Sequence, residues 1–162
     1  PKSLPLAKTY NNIGNIYKVQ GKTKKALVEY NKALAIQKKK APDSLAIART
    51  YNNIGGIYQV QERLDEALVE YNKALAIREK LAPDSLAIAR TYNNIGMIYK
   101  AQGKLEKASD LFQKASGIEE EKVPNSPNIE TKEKRREQKT GAAGRFETRT
   151  SAARSPAELE SN

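Results

Sequence analysis

The six residues Thr-Tyr-Asn-Asn-Ile-Gly at positions 9–14 return at 50–55 and again at 91–96, a step of 41 residues each time (50 − 9 and 91 − 50). The tyrosine three residues after each of these glycines keeps the same step, and so does a proline that precedes the second and third copies. A register that holds over three copies is typical of a solenoid, in which each unit packs only on its neighbours.

Each unit contains the pattern of two amphipathic helices. Apolar or small residues recur at three- and four-residue spacing, the period of one helix face, at Leu45, Ala48, Tyr51, Ile54, Gly55 and Tyr58. A second stripe follows a break near Gly21 and consists of Ala26, Leu27, Tyr30, Ala33, Leu34 and Ile36. Asp43 and Ser44 after Pro42 favour a helix start. We therefore predict antiparallel helix hairpins in which the glycines at 14, 55 and 96 let two helices pack closely.

The spacing of these residues resembles that of the tetratricopeptide repeat, on the positions Tyr10, Ile13, Gly14, Tyr17, Ala26, Tyr30 and Ala33. The longer wording Asn-Asn-Ile-Gly-x-Ile-Tyr-x-x-Gln-Gly, followed by Ala-Leu-x-x-Tyr-x-Lys-Ala-Leu-Ala-Ile-Arg-Glu-Lys and Pro-Asp, is similar to the long repeats of kinesin light chains. This resemblance covers residues 3 to about 122 and implies an all-α, right-handed α-solenoid of three antiparallel hairpins, with units at 3–40, 41–81 and 82–122. It also implies a scaffold that binds other proteins.

The sequence begins a fourth unit but does not complete it. Pro124 falls in register with Pro83, but the positions that should repeat 92–96 read Glu-Lys-Arg-Arg-Glu at 133–137. We interpret 123–140 as a degenerate fourth helix or polar cap. Residues 141–162 contain one Phe and are otherwise rich in Gly, Ala, Ser, Thr, Arg and Glu, so we expect a disordered tail.

The composition excludes several classes of site. The chain has no Cys and no His, so a disulfide framework, a thiolate nucleophile and a Ser-His-Asp triad are impossible. The contiguous glutamates at 119–121 fan around a helix axis instead of converging on a metal. No apolar run is long enough to span a membrane. We therefore expect no enzyme activity, no cofactor, no metal and no membrane contact, and we expect a cytoplasmic protein that is part of a longer scaffold.

The resemblance further implies a concave groove lined by the first helix of each hairpin. The candidate residues are Lys8, Asn11, Asn15, Lys18, Arg49, Asn52, Gly56, Gln59, Arg90, Asn93, Met97 and Lys100. Across the units they form a row of three cations beside a row of three amides, and both rows suit a carboxylate or a peptide backbone. The alternative is a merely solvated surface. The neighbouring asparagines at 12, 53 and 94 are expected to be structural and to face the adjacent hairpin.

The positive charge is concentrated in the first unit. Residues 1–40 hold ten Lys and one Glu, a net of +9, out of +10 for the chain. This pattern indicates either an acidic partner or a solvated basic face. The leading hypothesis is a module that binds an extended, acidic segment of a partner protein. The alternative is an assembly role, in which the open ends stack with further repeats or with another copy. Nucleic-acid binding is a weaker third, because the aromatic residues are used in the core.

Overall fold

The computed structural model describes residues 3–122, and these residues form six α-helices. Their bounds are α1 (Leu4–Val19), α2 (Thr23–Lys40), α3 (Leu45–Val60), α4 (Leu64–Leu81), α5 (Leu86–Ala101) and α6 (Leu105–Lys122). Consecutive helices pair into three hairpins, α1/α2, α3/α4 and α5/α6, which confirms the predicted all-α architecture. The predictions for 123–140 and for 141–162 lie outside the described residues.

Each hairpin is held by a contact between a glycine on its first helix and an aromatic ring on its second. A Cβ built on the glycine would approach a ring atom to 2.5 Å in the first hairpin, 2.9 Å in the second and 2.7 Å in the third. The pairs are Gly14 with Tyr30, Gly55 with Tyr71, and Gly96 with Phe112. No larger residue fits at these positions without displacing the ring, so the predicted close packing is confirmed.

The hairpins pack on one another through the isoleucines of α3 and α5. Ile57 and Ile98 are fully buried, and Ile54 and Ile95 are nearly so. One hydrophobic cluster joins α3 to residues of α2, and a second cluster joins α5 to residues of α4. Burying one such side chain stabilises the fold by about 1.5–3 kcal/mol, so each hairpin depends on its neighbour for much of its core.

The helices that open the second and third hairpins begin after a serine, as the sequence predicts for the second. Ser44 and Ser85 occupy the N-cap positions with extended backbone, and neither side chain makes a capping hydrogen bond. Their Oγ atoms are buried, and neither has a hydrogen-bond partner among residues 3–122. These helices are therefore stabilised by packing, not by a capping hydroxyl.

The turn inside each hairpin requires a left-handed residue. Gly21 and Gly103 adopt φ angles of 70° and 74°, while the second hairpin has Glu62 at the same place with φ 59°. A side chain in this region is sterically disfavoured, whereas glycine adopts it readily. The second turn therefore carries a strain that the other two avoid.

Replacing Glu62 with Gly is expected to raise the free energy of unfolding by about 1 kcal/mol, because it relieves this backbone strain. Urea denaturation followed by circular dichroism measures the change. The matched control is Gly103→Ala, which introduces the strain at the third turn and is expected to lower stability by a similar amount. A Glu62→Gly protein no more stable than the parent would contradict this reading of the turn.

Candidate functional site

The first helices of the hairpins place most of the candidate residues on the surface. The exposed residues are Lys8, Asn15, Lys18, Arg49, Arg90, Met97 and Lys100, and the partly exposed ones are Asn52, Gly56, Gln59 and Asn93. We call the surface formed by these residues the α1/α3/α5 face. Among residues 3–122, ion pairs involve other side chains, which leaves the cations of this face without a carboxylate partner there.

Asn11 corrects one prediction. Its side chain is only 2% exposed, and its Nδ2 donates to the carbonyl of Ala7 at 3.3 Å and to the hydroxyl of Thr50 at 2.9 Å. Thr50 in turn donates to Oε1 of Gln37 at 2.8 Å. Asn11 thus belongs to the packing between the first and second hairpins and is not available to a ligand in a groove.

The equivalent place between the second and third hairpins is occupied by Arg78, a residue that the sequence analysis missed. Arg78 lies one repeat after Gln37 and is only 7% exposed. Its Nη1 donates to the hydroxyl of Thr91, to the carbonyl of Ala87 at 3.0 Å and to Oδ1 of Asn52 at 3.4 Å. The signal was a change at one repeat position, which reads Gln37, Arg78 and Glu119 in the three units.

Arg78 is a buried cation with neutral partners. Burial lowers the pKa of its guanidinium, and the positive charge of Arg90 lowers this pKa further. An arginine nevertheless stays protonated at neutral pH. Within residues 3–122 each hydrogen bond of Arg78 uses Nη1, which leaves Nη2 and Nε without a protein acceptor there. Arg78 therefore lies within the field of a second cation, Arg90, and its charge is not neutralised within the described part of the chain.

The amides of neighbouring hairpins bond to one another. Asn53 donates to Oδ1 of Asn15 at 3.3 Å, and Asn94 donates to Oδ1 of Asn52 at 3.2 Å. These contacts agree with the expectation that Asn53 and Asn94 face the adjacent hairpin, whereas the same expectation is wrong for Asn12, which is exposed. The oxygens of Asn15 and Asn52 already accept hydrogen bonds. These two side chains therefore offer a peptide mainly their N–H donors, and Asn52 is not expected to bond both the N–H and the C=O of a peptide.

Gly56 stands where the other units carry Asn15 and Met97, and the end of the Lys18 side chain lies over it. A Cβ built on Gly56 would lie 3.1 Å from Nζ of Lys18 and 3.6 Å from the hydroxyl of Tyr71. Lys18 therefore reaches across from the first hairpin to the second. The Tyr71 hydroxyl donates to Oε1 of Gln59 at 2.8 Å, and burial raises the pKa of Tyr71 to about 12, so the phenol stays protonated at neutral pH.

In the third unit the amide of the predicted row contacts an acidic residue. Nδ2 of Asn93 lies 3.5 Å from Oε1 of Glu119, which occupies the position of Gln37 and Arg78. The three amides of the predicted row thus have three different environments. Asn11 is buried, Asn52 contacts a cation and Asn93 contacts a carboxylate.

The basic surface of the first hairpin is held partly by aromatic rings. Nζ of Lys25 lies 5.8 Å from the ring centre of Tyr17, and Nζ of Lys32 lies 5.4 Å from that of Tyr10. Lys32 also pairs with Glu29 at 2.8 Å. This is an exposed pair, so it contributes little to stability.

Among residues 3–122, no cluster of acidic side chains has an arrangement that could hold a metal ion. In the same range no helix combines the length and apolar character required to cross a bilayer.

The repeat pattern matches a known family over almost all of the described residues. The family model for the tetratricopeptide repeat matches residues 5–80 and, in a second placement, residues 46–121. No curated protein matches the chain significantly.

Several solved structures are similar to this chain. BtubC, also called BKLC, from P. vanneervenii is 26% identical with a TM-score of 0.68, over 96% of this chain and 54% of its own length. A putative kinesin light chain from Podospora anserina is 17% identical with a TM-score of 0.67, over 79% of this chain and 62% of its own. The first tetratricopeptide domain of Spaghetti (RPAP3), bound to the HSP90 peptide SRMEEVD, is 22% identical with a TM-score of 0.60, over 86% and 96%. The chain thus spans about half the length of BtubC.

Exchanging residues between the two equivalent positions tests whether Arg78 is an energetic burden. We expect Arg78→Gln to unfold at the same or a higher urea concentration, because Gln37 satisfies the same kind of site in the first interface. The reciprocal change Gln37→Arg buries a new cation beside Arg49 and is expected to lower the free energy of unfolding by about 1–3 kcal/mol. A loss of stability in Arg78→Gln as large as that in Gln37→Arg would show that the guanidinium is required for packing.

Proposed function

The chain belongs to the tetratricopeptide repeat family, a module of protein–protein interaction, and we propose that its α1/α3/α5 face binds an extended acidic segment of a partner protein. The function is binding without catalysis. The observation that carries the proposal is Arg78, a guanidinium that is buried between the second and third hairpins and bonds only neutral oxygens within residues 3–122.

A carboxylate from a ligand would improve the electrostatics of this place. The repulsion between Arg78 and Arg90 raises the free energy of the empty surface, and an anion bound near both removes it. Guanidinium groups can bind a carboxylate through two parallel N–H bonds, and Arg78 retains Nη2 and Nε for this purpose. The acidic side chain would therefore be anchored between the second and third hairpins.

The rest of the face offers donors to a peptide backbone. The oxygens of Asn15 and Asn52 already accept hydrogen bonds, so these side chains can bind a peptide through their Nδ2 groups, which donate to peptide carbonyls. Lys18 above Gly56 offers a second positive charge in the neighbouring interface. Cations in both interfaces suit a segment with more than one acidic residue and a chain that runs across the hairpins.

A direct test uses a short acidic peptide and its neutral counterpart. The peptide SRMEEVD, bound by the first tetratricopeptide domain of Spaghetti, is a convenient probe because it is acidic, and SRMQQVN is the control that lacks its acidic side chains. We expect this chain to bind the acidic peptide more tightly, as measured by fluorescence polarisation of labelled peptides. Equal affinity for both peptides would contradict the acidic preference.

Arg78→Gln should weaken binding of the acidic peptide by about tenfold, which corresponds to about 1.4 kcal/mol, because it removes the buried charge. The residue introduced is the one that the first interface already accommodates, so the fold is conserved. Affinity for SRMQQVN is expected to stay unchanged. Arg63→Gln is the matched control, since Arg63 is an exposed arginine that pairs with Glu66 on the turn side of the hairpin. Equal losses from both substitutions would assign the effect to net charge and not to the site.

The double substitution Asn52→Ala with Asn93→Ala is expected to weaken binding of the same peptide about tenfold while leaving helicity intact, because each amide donates from the surface. Far-ultraviolet circular dichroism checks the helicity. Asn12→Ala serves as the control, because Asn12 is an exposed asparagine of the same repeat motif outside the proposed site. Unchanged peptide binding in the double variant would remove these residues from the site.

A further inference from the structure

The outer side of α1 carries the same residues that α3 and α5 bury against a preceding hairpin. Ile16 is 56% exposed, whereas its equivalents Ile57 and Ile98 are completely buried. Thr9 is also exposed, although Thr50 and Thr91 at the same repeat position are 0% exposed. The first hairpin thus presents an interface surface without a neighbour among residues 3–122.

The two buried copies show what covers such a surface. α3 packs on α2, and α5 packs on α4, through a stripe on the second helix of the preceding hairpin. The stripe reads Leu27, Tyr30, Leu34 and Gln37 on α2, and Leu68, Tyr71, Leu75 and Arg78 on α4. These positions lie three, seven and ten residues from the first, so they share one helix face. The last of them bonds the threonine that is exposed as Thr9 on α1.

Tyr10 gives a second, independent indication. In the later units the equivalent tyrosine contacts the preceding hairpin: Lys38 lies over the ring of Tyr51, and the hydroxyl of Tyr92 donates to Glu79 at 3.0 Å. Tyr10 packs only within its own hairpin among the described residues, against the cluster of Ala7, Ala33 and Ile36 and beneath Lys32. A cleft of about 510 Å³ opens beside it, lined by Tyr10, Val28, Asn31, Lys32 and Ala35.

The opposite end of the stack does not offer a matching stripe. On α6 the two leucine positions are Ser109 and Ser116, and the amide or guanidinium position is Glu119, all three exposed. Phe112 alone keeps the apolar character of the stripe. If α6 of a second copy packed on α1, it would bring two serine hydroxyls and the carboxylate of Glu119 to this surface. The α1 surface instead needs two leucines and a polar group like that of Gln37 or Arg78.

We propose that the exposed side of α1 docks the second helix of a further hairpin of this repeat type. That helix is required to carry Leu, an aromatic residue, Leu, and Gln or Arg at the spacing found on α2 and α4. Pro-x-Ser-Leu at 1–4 corresponds to the Pro-Asp-Ser-Leu that joins the hairpins at 42–45 and 83–86, so a hairpin can be fused there in register to test the proposal. This inference does not depend on the peptide site.

The experiment adds such a hairpin in register. A copy of residues 42–82 placed directly before Pro1 keeps the step of 41 residues and brings a copied α4 stripe to α1. We expect amide exchange in α1, followed by mass spectrometry, to slow by about tenfold or more, and the melting temperature to rise. The matched control carries serine at the copied Leu68 and Leu75 positions, as α6 does, and is expected to leave α1 exchange as fast as in the unextended chain.

Three outcomes would overturn the proposal. Equal protection of α1 by both extensions would show that the stripe does not matter, and an extension that stays unfolded would show that α1 cannot support a neighbour. The third concerns the unextended chain, which is expected to sediment as a monomer. A concentration-dependent dimer that is abolished by Ile16→Lys would assign this surface to a second copy of the chain.

Discussion

The glycine on the first helix of each hairpin lies against an aromatic ring of the second helix, and the remaining contacts of the stack follow from that approach. With Gly55 in van der Waals contact with Tyr71, the two helices are too close for any side chain between them at that level. The ring is then buried at 2% exposure, and its hydroxyl emerges toward Gln59. The same approach fixes the face of α3 that remains for the preceding hairpin, which is the face of Ile54 and Ile57. Packing within a hairpin thus determines packing between hairpins.

Because the scaffold is repeated, the hairpins are distinguished by the positions at which their residues differ. The position of Gln37, Arg78 and Glu119 is neutral, cationic and anionic in turn, although its surroundings of asparagine and threonine are the same in the first two cases. A second such position carries Asn15, Gly56 and Met97 in the three units. A solenoid tolerates these changes because each one affects only the adjoining interface, and the hairpin contacts supply the rest of the stability.

The helices, the hairpins and the glycine contacts were predictable because they depend on spacing within about twenty residues, which the repeat displays three times. The candidate site was less predictable, since it depends on contacts between units. Asn11 has the same spacing as Asn52, yet it is buried because it bonds Thr50 of the next hairpin, whose hydroxyl in turn donates to Gln37. Arg78 was missed for the opposite reason. A charged residue near a helix end usually lies in solvent, and only the next hairpin buries it. The serines at 44 and 85 mark the helix starts correctly, but packing there replaces the capping bond.

Arg78 also connects the stability of the stack with its function. Removing a cation from water costs free energy that three neutral acceptors offset only in part, and Arg90 adds repulsion. A hydrophobic or amide residue would hold the second interface at least as well, as Gln37 does in the first, so stability alone does not account for the arginine. A bound carboxylate would supply the missing countercharge, and by linkage the same ligand would stabilise the interface between the second and third hairpins. On the proposed function, binding of the acidic segment and ordering of the third hairpin against the second would therefore be coupled.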